Sequence, residues 1–393
     1  MEQMKLYGVL FKLTDFGQWA DRRHHQCLVN MLVGLILSFR LNMSDWVAYC
    51  EDRGIFASSW ERRFSRWLEN ERIDVIALYG PIVREILRGT DRRELFIALD
   101  TSMLHNRICH VRFSVVWQGR AIPLIWKSFE HASSSIGFEQ YAELLKTLST
   151  WIPAGVQPIL LADRGFGCTS LMELCDELGW KFRIRLKSTL QAFIAYYRVH
   201  LKGPLPYRGE ARFHHNIVLT RQRKGPWHLA LGRPSGTRED WIIISNDPTT
   251  LETFDEYGQR FCIEENFLDD KSNGFCWAKS RITRPAAIDR QVLIMALATV
   301  YLSNQGAQVE HRGKRRLVDG HTHRGRSYLK IGYHWIIQAL IKGEEILSKW
   351  TLPGGFKPSV AKASLNQHQK HQKRKKSFFR KGSDTYDWEF ALV

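Results

Sequence analysis

Asp100 follows the apolar run Leu95-Phe96-Ile97-Ala98-Leu99, Asp163 follows Pro158-Ile159-Leu160-Leu161-Ala162, and Glu264 stands in the spacing Tyr257-x2-Arg260-x3-Glu264-x6-Lys271. Carboxylate oxygens are the donors that Mg²⁺ and Mn²⁺ prefer. Three of them can hold two such ions about 4 Å apart, clamping the attacking and leaving oxygens of a phosphodiester. The chemistry this trio points to is metal-assisted phosphoryl transfer. On a helix turning about 100° per residue, Tyr257, Arg260, Glu264 and Lys271 fall within an arc of roughly 60°, so one stripe presents a phenol, a guanidinium, a carboxylate and an ammonium. Taken alone, such a stripe is more often a solvated row of ion pairs. Beside two strand-end aspartates it becomes a candidate site, with Arg260 and Lys271 able to meet flanking phosphates, the arginine bidentately.

The elements that must position these groups are legible in the apolar pattern. Each short unbroken apolar run reads as a strand buried on both faces, as central parallel strands are, and ligands gather outside the carboxyl ends of such strands. Val111 to Trp117 and Ala121 to Trp126 read as two further strands joined by the Gln118-Gly119-Arg120 turn. Phe138, Tyr141, Leu145 and Leu148 repeat at helical spacing, Lys181 to Leu186 reads as a last core strand, and a helix around Val292 is expected behind the sheet. About a hundred residues separate Asp163 from Glu264, more than one strand and one helix occupy. Strand-like runs at Phe213 to Thr220, His228 to Leu231 and Trp241 to Ser245, with a turn at Lys224-Gly225-Pro226, predict a small antiparallel sheet there.

With these residues in view, the chain resembles a bacterial insertion-sequence transposase of the DDE type, in the group named for its Tyr-Arg-Glu-Lys signature (the IS-four type). Tyr257, Arg260, Glu264 and Lys271 match that signature at full spacing, and Asp163-Arg164-Gly165-Phe166 is similar to the setting of the family's second aspartate. The resemblance runs from about Leu95 to Lys271. It implies an α/β fold: a ribonuclease-H-like catalytic core over 90–306 with a β-rich insertion at 188–255, flanked by helical N- and C-terminal regions. The order strand, strand, strand, helix, strand suits that topology. It also implies Asp100, Asp163 and Glu264 as ligands of two Mg²⁺ ions, with Mn²⁺ as a substitute. The implied partner is double-stranded DNA, at transposon ends and target, bound by a homodimer in the synaptic complex, in the cytoplasm and at the bacterial nucleoid. Trp241 resembles the family tryptophan that stacks on a base flipped from the transposon end. Such stacking is worth about 1–3 kcal/mol, although an ordinary sheet tryptophan is as good a reading in a chain with 14 of them.

The flanks and the charge agree with a polyanionic partner. The 393 residues carry 57 Lys and Arg against 40 Asp and Glu, a net charge of +17, which favours nucleic acid and makes a carboxylate-pair glycosidase a remote reading. Residues 1–89 have helical periodicity. Ser44 and Ser58-x-x-Glu61 read as helix starts, and a helix-turn-helix is plausible with Trp60, Phe64 and Trp67 buried and Arg62, Arg63 and Arg66 turned to DNA, or to solvent on a plain bundle. Residues 307–360 are expected to be a helical C-terminal region, with basic Gly313 to Arg326 first and a break at Pro353-Gly354-Gly355. The basic tail 361–393 is expected to be disordered. Seven cysteines without ligand spacing read as reduced thiols and do not indicate zinc. The apolar runs at Met31 to Leu37 and Val292 to Leu302 are too short to cross a bilayer, the N-terminus has no signal-peptide pattern, and no membrane partner is expected. Two other functions use the same residues: a structure-specific DNA nuclease without strand transfer, and a DNA-binding protein whose catalysis has lapsed.

Overall fold

A computed structural model describes residues 2–15, 19–50, 54–194, 197–235, 239–321, 326–350 and 381–384. Five helices come first: α1 (Glu2–Leu13), α2 (Arg22–Ser38), α3 (Met43–Val47), α4 (Ala57–Glu69) and α5 (Val75–Arg88). Side-chain oxygens cap three of them. Asp21 accepts from the Arg23 amide, Asn42 from Ser44, and Asp74 from Ile76 and Ala77, each satisfying donors that have no partner within their helix. The expected caps are not the ones used: Asn42 starts α3 in place of Ser44, and α4 begins before Ser58 with no side-chain cap. The helix-turn-helix expectation also gives way. α3 is a 5-residue turn, and residues 48–56 separate it from α4, whereas that motif joins two full helices by about 3–4 residues. α4 nonetheless buries Trp60, Phe64 and Trp67 and leaves Arg62, Arg63 and Arg66 exposed.

The sheet begins with β1 (Glu94–Leu104), β2 (Ile108–Trp117) and β3 (Arg120–Glu130), followed by α6 (Ala142–Ser149), β4 (Gln157–Ala162), α7 (Thr169–Glu177) and β5 (Lys181–Arg185). β1, β2 and β3 are antiparallel neighbours, while β4 and β5 run parallel to β1, in the order β3-β2-β1-β4-β5. The apolar runs fall on these strands, as buried parallel strands require. One boundary differs. β1 does not end at Leu99; its register with β4 ends at Leu99↔Ala162, and Asp100 to Leu104 continue against β2 alone. Asp100 is therefore inside β1, at the point where its parallel neighbour stops.

β6 (Gln191–Ile194), β7 (Tyr197–His200), β8 (Glu210–Leu219), β9 (Lys224–Gly232) and β10 (Trp241–Ser245) form the insertion. They do not make a separate small sheet. β10 pairs antiparallel with β5, Ile244 opposite Ile184, and the sheet continues through β9, β8, β6 and β7. The physical reason is the edge: β5 would otherwise present a row of unpaired backbone groups, and β10 covers them. The chain reverses at 220–223, so Lys224-Gly225-Pro226 begins β9 instead of forming the turn.

α8 (Leu251–Gly258), α9 (Phe261–Leu268), α10 (Pro285–His311), α11 (Tyr328–Lys342) and β11 (Lys381–Asp384) complete the described chain. α10 is longer than the Val292 run predicted, 27 residues, and apolar enough to cross a membrane by length and composition, but 94% of its most apolar stretch is buried inside the protein. Its start is tied behind β3 by the Trp126 indole, which donates to the Asp289 carbonyl at 3.1 Å. The expected boundary at 306/307 falls within α10, and α11 packs on that helix, so α11 belongs to the same helical layer. β11 pairs parallel with β8, so 381–384 of the expected disordered tail are ordered. The rest of that tail, the Pro353 break and residues 322–325 of the basic stretch lie outside the described residues.

Candidate active site

Ala98 on β1 and Leu161 on β4 belong to a small apolar cluster with Ile263 and Phe267 of α9. Side chains alternate along a strand, so two residues further on Asp100 and Asp163 leave the same face of the sheet, toward α9. Because Leu99 is paired with Ala162, the two aspartates are neighbours across the parallel ladder. Asp163 is held by its own turn: its Oδ1 accepts the Gly165 amide at 2.7 Å, and a Cβ at position 165 would lie 2.9 Å from that oxygen. Glycine is what lets the backbone approach the carboxylate. Phe166, buried edge-on against Tyr141, anchors the turn.

Glu264 arrives from the helical side, though not on the single helix that its spacing predicts. The helix breaks at Gln259 and Arg260. The cause is visible in the packing: Phe254 and Tyr257 of α8 cover Phe213, Ala230 and Ile243 of the insertion, whereas Ile263 and Phe267 of α9 cover β1 and β4. One straight rod cannot serve both halves of a twisted sheet. At the break stands Arg260. Its Nη1 donates to Asp100 Oδ2 at 3.1 Å and its Nη2 to Glu264 Oε1 at 2.6 Å, with the guanidinium only 7% exposed. Its carbon also lies 4.9 Å from the Phe261 ring centre and 5.9 Å from that of Tyr257.

The electrostatics describe a cation-seeking site. Burial raises the Asp100 carboxyl to about 6; Arg260 and the Thr101 amide oppose the rise, and the charges of Asp163 and Glu264 add to it. Carboxylate oxygens from three elements converge on one face, which is the donor chemistry of a hard divalent cation. The side chains are not closed into ligand geometry as they stand: among the described residues no three His, Cys, Asp or Glu groups are close enough to hold an ion.

A buried ion pair absent from the sequence reading fixes α9 to the sheet. Arg112 of β2, opposite Asp100 in register, donates to Asp270 Oδ2 at 2.7 Å and to Asn266 Oδ1 at 2.8 Å, and its guanidinium lies 4.2 Å from the Phe267 ring centre. Asp270 sits in a five-residue π-turn after α9, a local widening frequent at functional sites. Arg112→Leu leaves Asp270 buried without its cation and is expected to cost about 3–5 kcal/mol in urea unfolding, whereas adding Asp270→Leu recovers most of the loss. A single-variant cost below about 1 kcal/mol would remove Arg112 as the anchor of α9. The signal was present in the sequence: a lone charge inside the apolar run Val111-Arg112-Phe113.

The other expected site residues are placed unevenly. Trp241, at the start of β10, is half-buried and meets Tyr257 edge-on, with ring centres 5.7 Å apart at 75°. Tyr257 is fully buried; burial raises its phenol pKa, with Arg260 and Arg185 opposing. Lys271 points along β1, donating to the Met103 carbonyl at 2.9 Å. Arg62, Arg63 and Arg66 stand apart on α4; Arg63 and Arg66 line a groove of about 950 Å³ with Arg23 and His24, and Arg63 lies over the Trp60 ring. Arg185, at the carboxyl end of β5, is a near-site cation that the sequence reading passed over. It donates to Glu239 and to the Asp240 carbonyl, and the alternation of Lys181, Arg183 and Arg185 with apolar residues was its signal.

Residues 130–301 match the family model of the transposase DDE domain. Over that span the chain is similar to DDE transposases. The matched span contains Asp163, Trp241 and Glu264, while Asp100 precedes it. A cryo-EM structure of the piggyBac transposase synaptic complex with hairpin DNA is similar at a TM-score of 0.45 and 11% identity, over 87% of this chain and 81% of that chain. No curated protein matches the chain.

Proposed function

We propose that this chain is a DDE-type DNA transposase that binds the terminal inverted repeats of its element, cleaves there and joins the freed ends to target DNA. The observation that carries the reading is the register of β1 with β4, which brings Asp100 beside Asp163, with Arg260 linking Asp100 to Glu264 of α9, within a chain whose residues 130–301 match the transposase DDE domain. The strand order β3-β2-β1-β4-β5 with an antiparallel first half supports a ribonuclease-H-like core, and the full Tyr-Arg-Glu-Lys spacing favours the bacterial insertion-sequence group. Asp100, Asp163 and Glu264 are the ligands in this reading, for two Mg²⁺ ions with Mn²⁺ as a substitute. Bound there, divalent ions supply Lewis acidity to the attacked phosphate and lower the pKa of an attacking water or 3′-hydroxyl.

The chain's own groups do the rest. The three carboxylates would hold the cations that take up the anionic phosphodiester, which is attacked first by water and then by the freed 3′-hydroxyl. Trp241, braced by Tyr257, offers an aromatic face to an extruded base if the 3′-hydroxyl attacks the opposite strand to form a hairpin. Arg260 and Lys271 serve flanking phosphates once DNA is present. The exposed Arg62, Arg63 and Arg66 of α4 and the net charge of +17 supply contacts along the backbone. Because an element has two ends to bring together, the working form is a homodimer on DNA, in the cytoplasm at the nucleoid.

The reading is tested with labelled duplexes carrying the element's ends, a supercoiled target and Mg²⁺. A transposase yields end cleavage and labelled target. Nicks without any joined product support the nuclease instead, and binding without cleavage supports a lapsed enzyme.

A further inference from the structure

Among the described residues, Arg260 is the group in direct contact with two of the three carboxylates, bridging Asp100 on β1 and Glu264 on α9. It is nearly inaccessible, while Glu264 is 49% exposed. We propose that Arg260 is an internal counter-cation that holds the carboxylates in place before metal arrives, is displaced from between them by the divalent ions, and then turns to the DNA phosphates. The inference rests on the metal-site reading given above and adds an order of events to it.

Three observations carry it. First, the guanidinium is hydrogen-bonded to both Asp100 and Glu264, so a divalent cation taking up those oxygens would have to displace it. Second, charge balance favours the exchange. Three carboxylates and one scissile phosphate carry four negative charges, matched by two divalent ions, and a guanidinium left among them would be in excess. Third, a path out exists. The guanidinium already lies against the Phe261 ring, which is 40% exposed, so rotation about the arginine side chain can carry the charge toward solvent while keeping an aromatic contact. Arg260 sits at the junction of α8 and α9, and rotation about its side-chain bonds needs no change of backbone. Without a resident cation the three carboxylates would repel one another on a half-buried face, and α9 would be pushed from the sheet.

The test is direct Mn²⁺ binding by the full-length protein without DNA, by calorimetry and by electron paramagnetic resonance of free Mn²⁺. Arg260→Ala is expected to bind Mn²⁺ about tenfold tighter than wild type, about 1.4 kcal/mol, because the ion no longer has a competitor. Arg260→Lys keeps the charge but cannot bridge both carboxylates, and is expected to fall between the two; it also serves if the alanine variant does not fold. Arg185→Ala removes a nearby cation that touches none of the three, and is expected to stay within about twofold at physiological salt, where the Debye length is about 8 Å. In thermal melts without metal, Arg260→Ala should unfold earlier than wild type, and Mn²⁺ should restore it by a larger shift than wild type shows. A merely structural arginine gives the opposite sign in affinity. Equal or weaker Mn²⁺ binding by Arg260→Ala, or a gain of the same size in Arg185→Ala, overturns the displacement while leaving the metal site standing. Mn²⁺ binding that is absent in wild type, or unaffected by Glu264→Gln, overturns both.

Discussion

Alanine at Asp100, Asp163 or Glu264 is expected to lower Mg²⁺-dependent cleavage of end DNA by about 10³-fold or more, since each removes a ligand from ions that supply several kcal/mol of charge stabilisation. The effect should be confined to chemistry. Asp163 is only partly buried and Glu264 is exposed, and removing negative charge from a phosphate path leaves DNA binding unchanged or tighter. Asp100→Ala needs a control, because it also takes one of two partners from Arg260. Asp100→Asn keeps an acceptor for the guanidinium and should fold like wild type while remaining inactive. Single-turnover cleavage on gels beside mobility-shift binding measures both quantities. A near-wild-type rate in any one variant would strike that residue from the site.

Trp241→Ala is expected to separate two steps. The first nick needs ions and a water and should stay within a few-fold of wild type. The hairpin step needs an extruded base held against an aromatic face, and losing about 1–3 kcal/mol of stacking slows it by about 5- to 150-fold. The structure sharpens the test, because Trp241 is partly exposed at one end of β10 and packed against Tyr257 and Phe254. Trp241→Phe should recover part of the hairpin yield. A gel that resolves nick, hairpin and double-strand break reads each product from one reaction. Equal loss at every step, with a lowered melting temperature, would make Trp241 a packing residue of the insertion.

Much of the core was legible because it is written in local patterns. The runs Leu95–Leu99 and Pro158–Ala162 read as buried strands, and their following aspartates lie near one another once the strands pair in parallel. The N-terminal helices were readable from spacing, but their caps and the proposed short turn were not. Capping is a competition among neighbouring polar side chains, and Asn42 outcompetes Ser44 by position alone. The insertion misled for a different reason. Its strands are individually visible, but nothing local states which edge they will cover, and the open side of β5 took β10.

The stripe from Tyr257 to Lys271 shows where local reading ends. By periodicity those four residues share one helical face. In the folded chain Tyr257 is buried against the insertion, Arg260 sits in a break, Glu264 is exposed on α9 and accepts from Arg260, and Lys271 reaches a β1 carbonyl from a π-turn. Sequence by itself determined which chemistry is available: three carboxylates on defined elements, flanked by cations, in a strongly basic chain. Tertiary structure decided which of those charges meet. Contacts such as Arg260 with Asp100 and Arg112 with Asp270 join residues about 160 positions apart, and a guanidinium takes the partner that burial brings within reach, whatever its spacing along the chain.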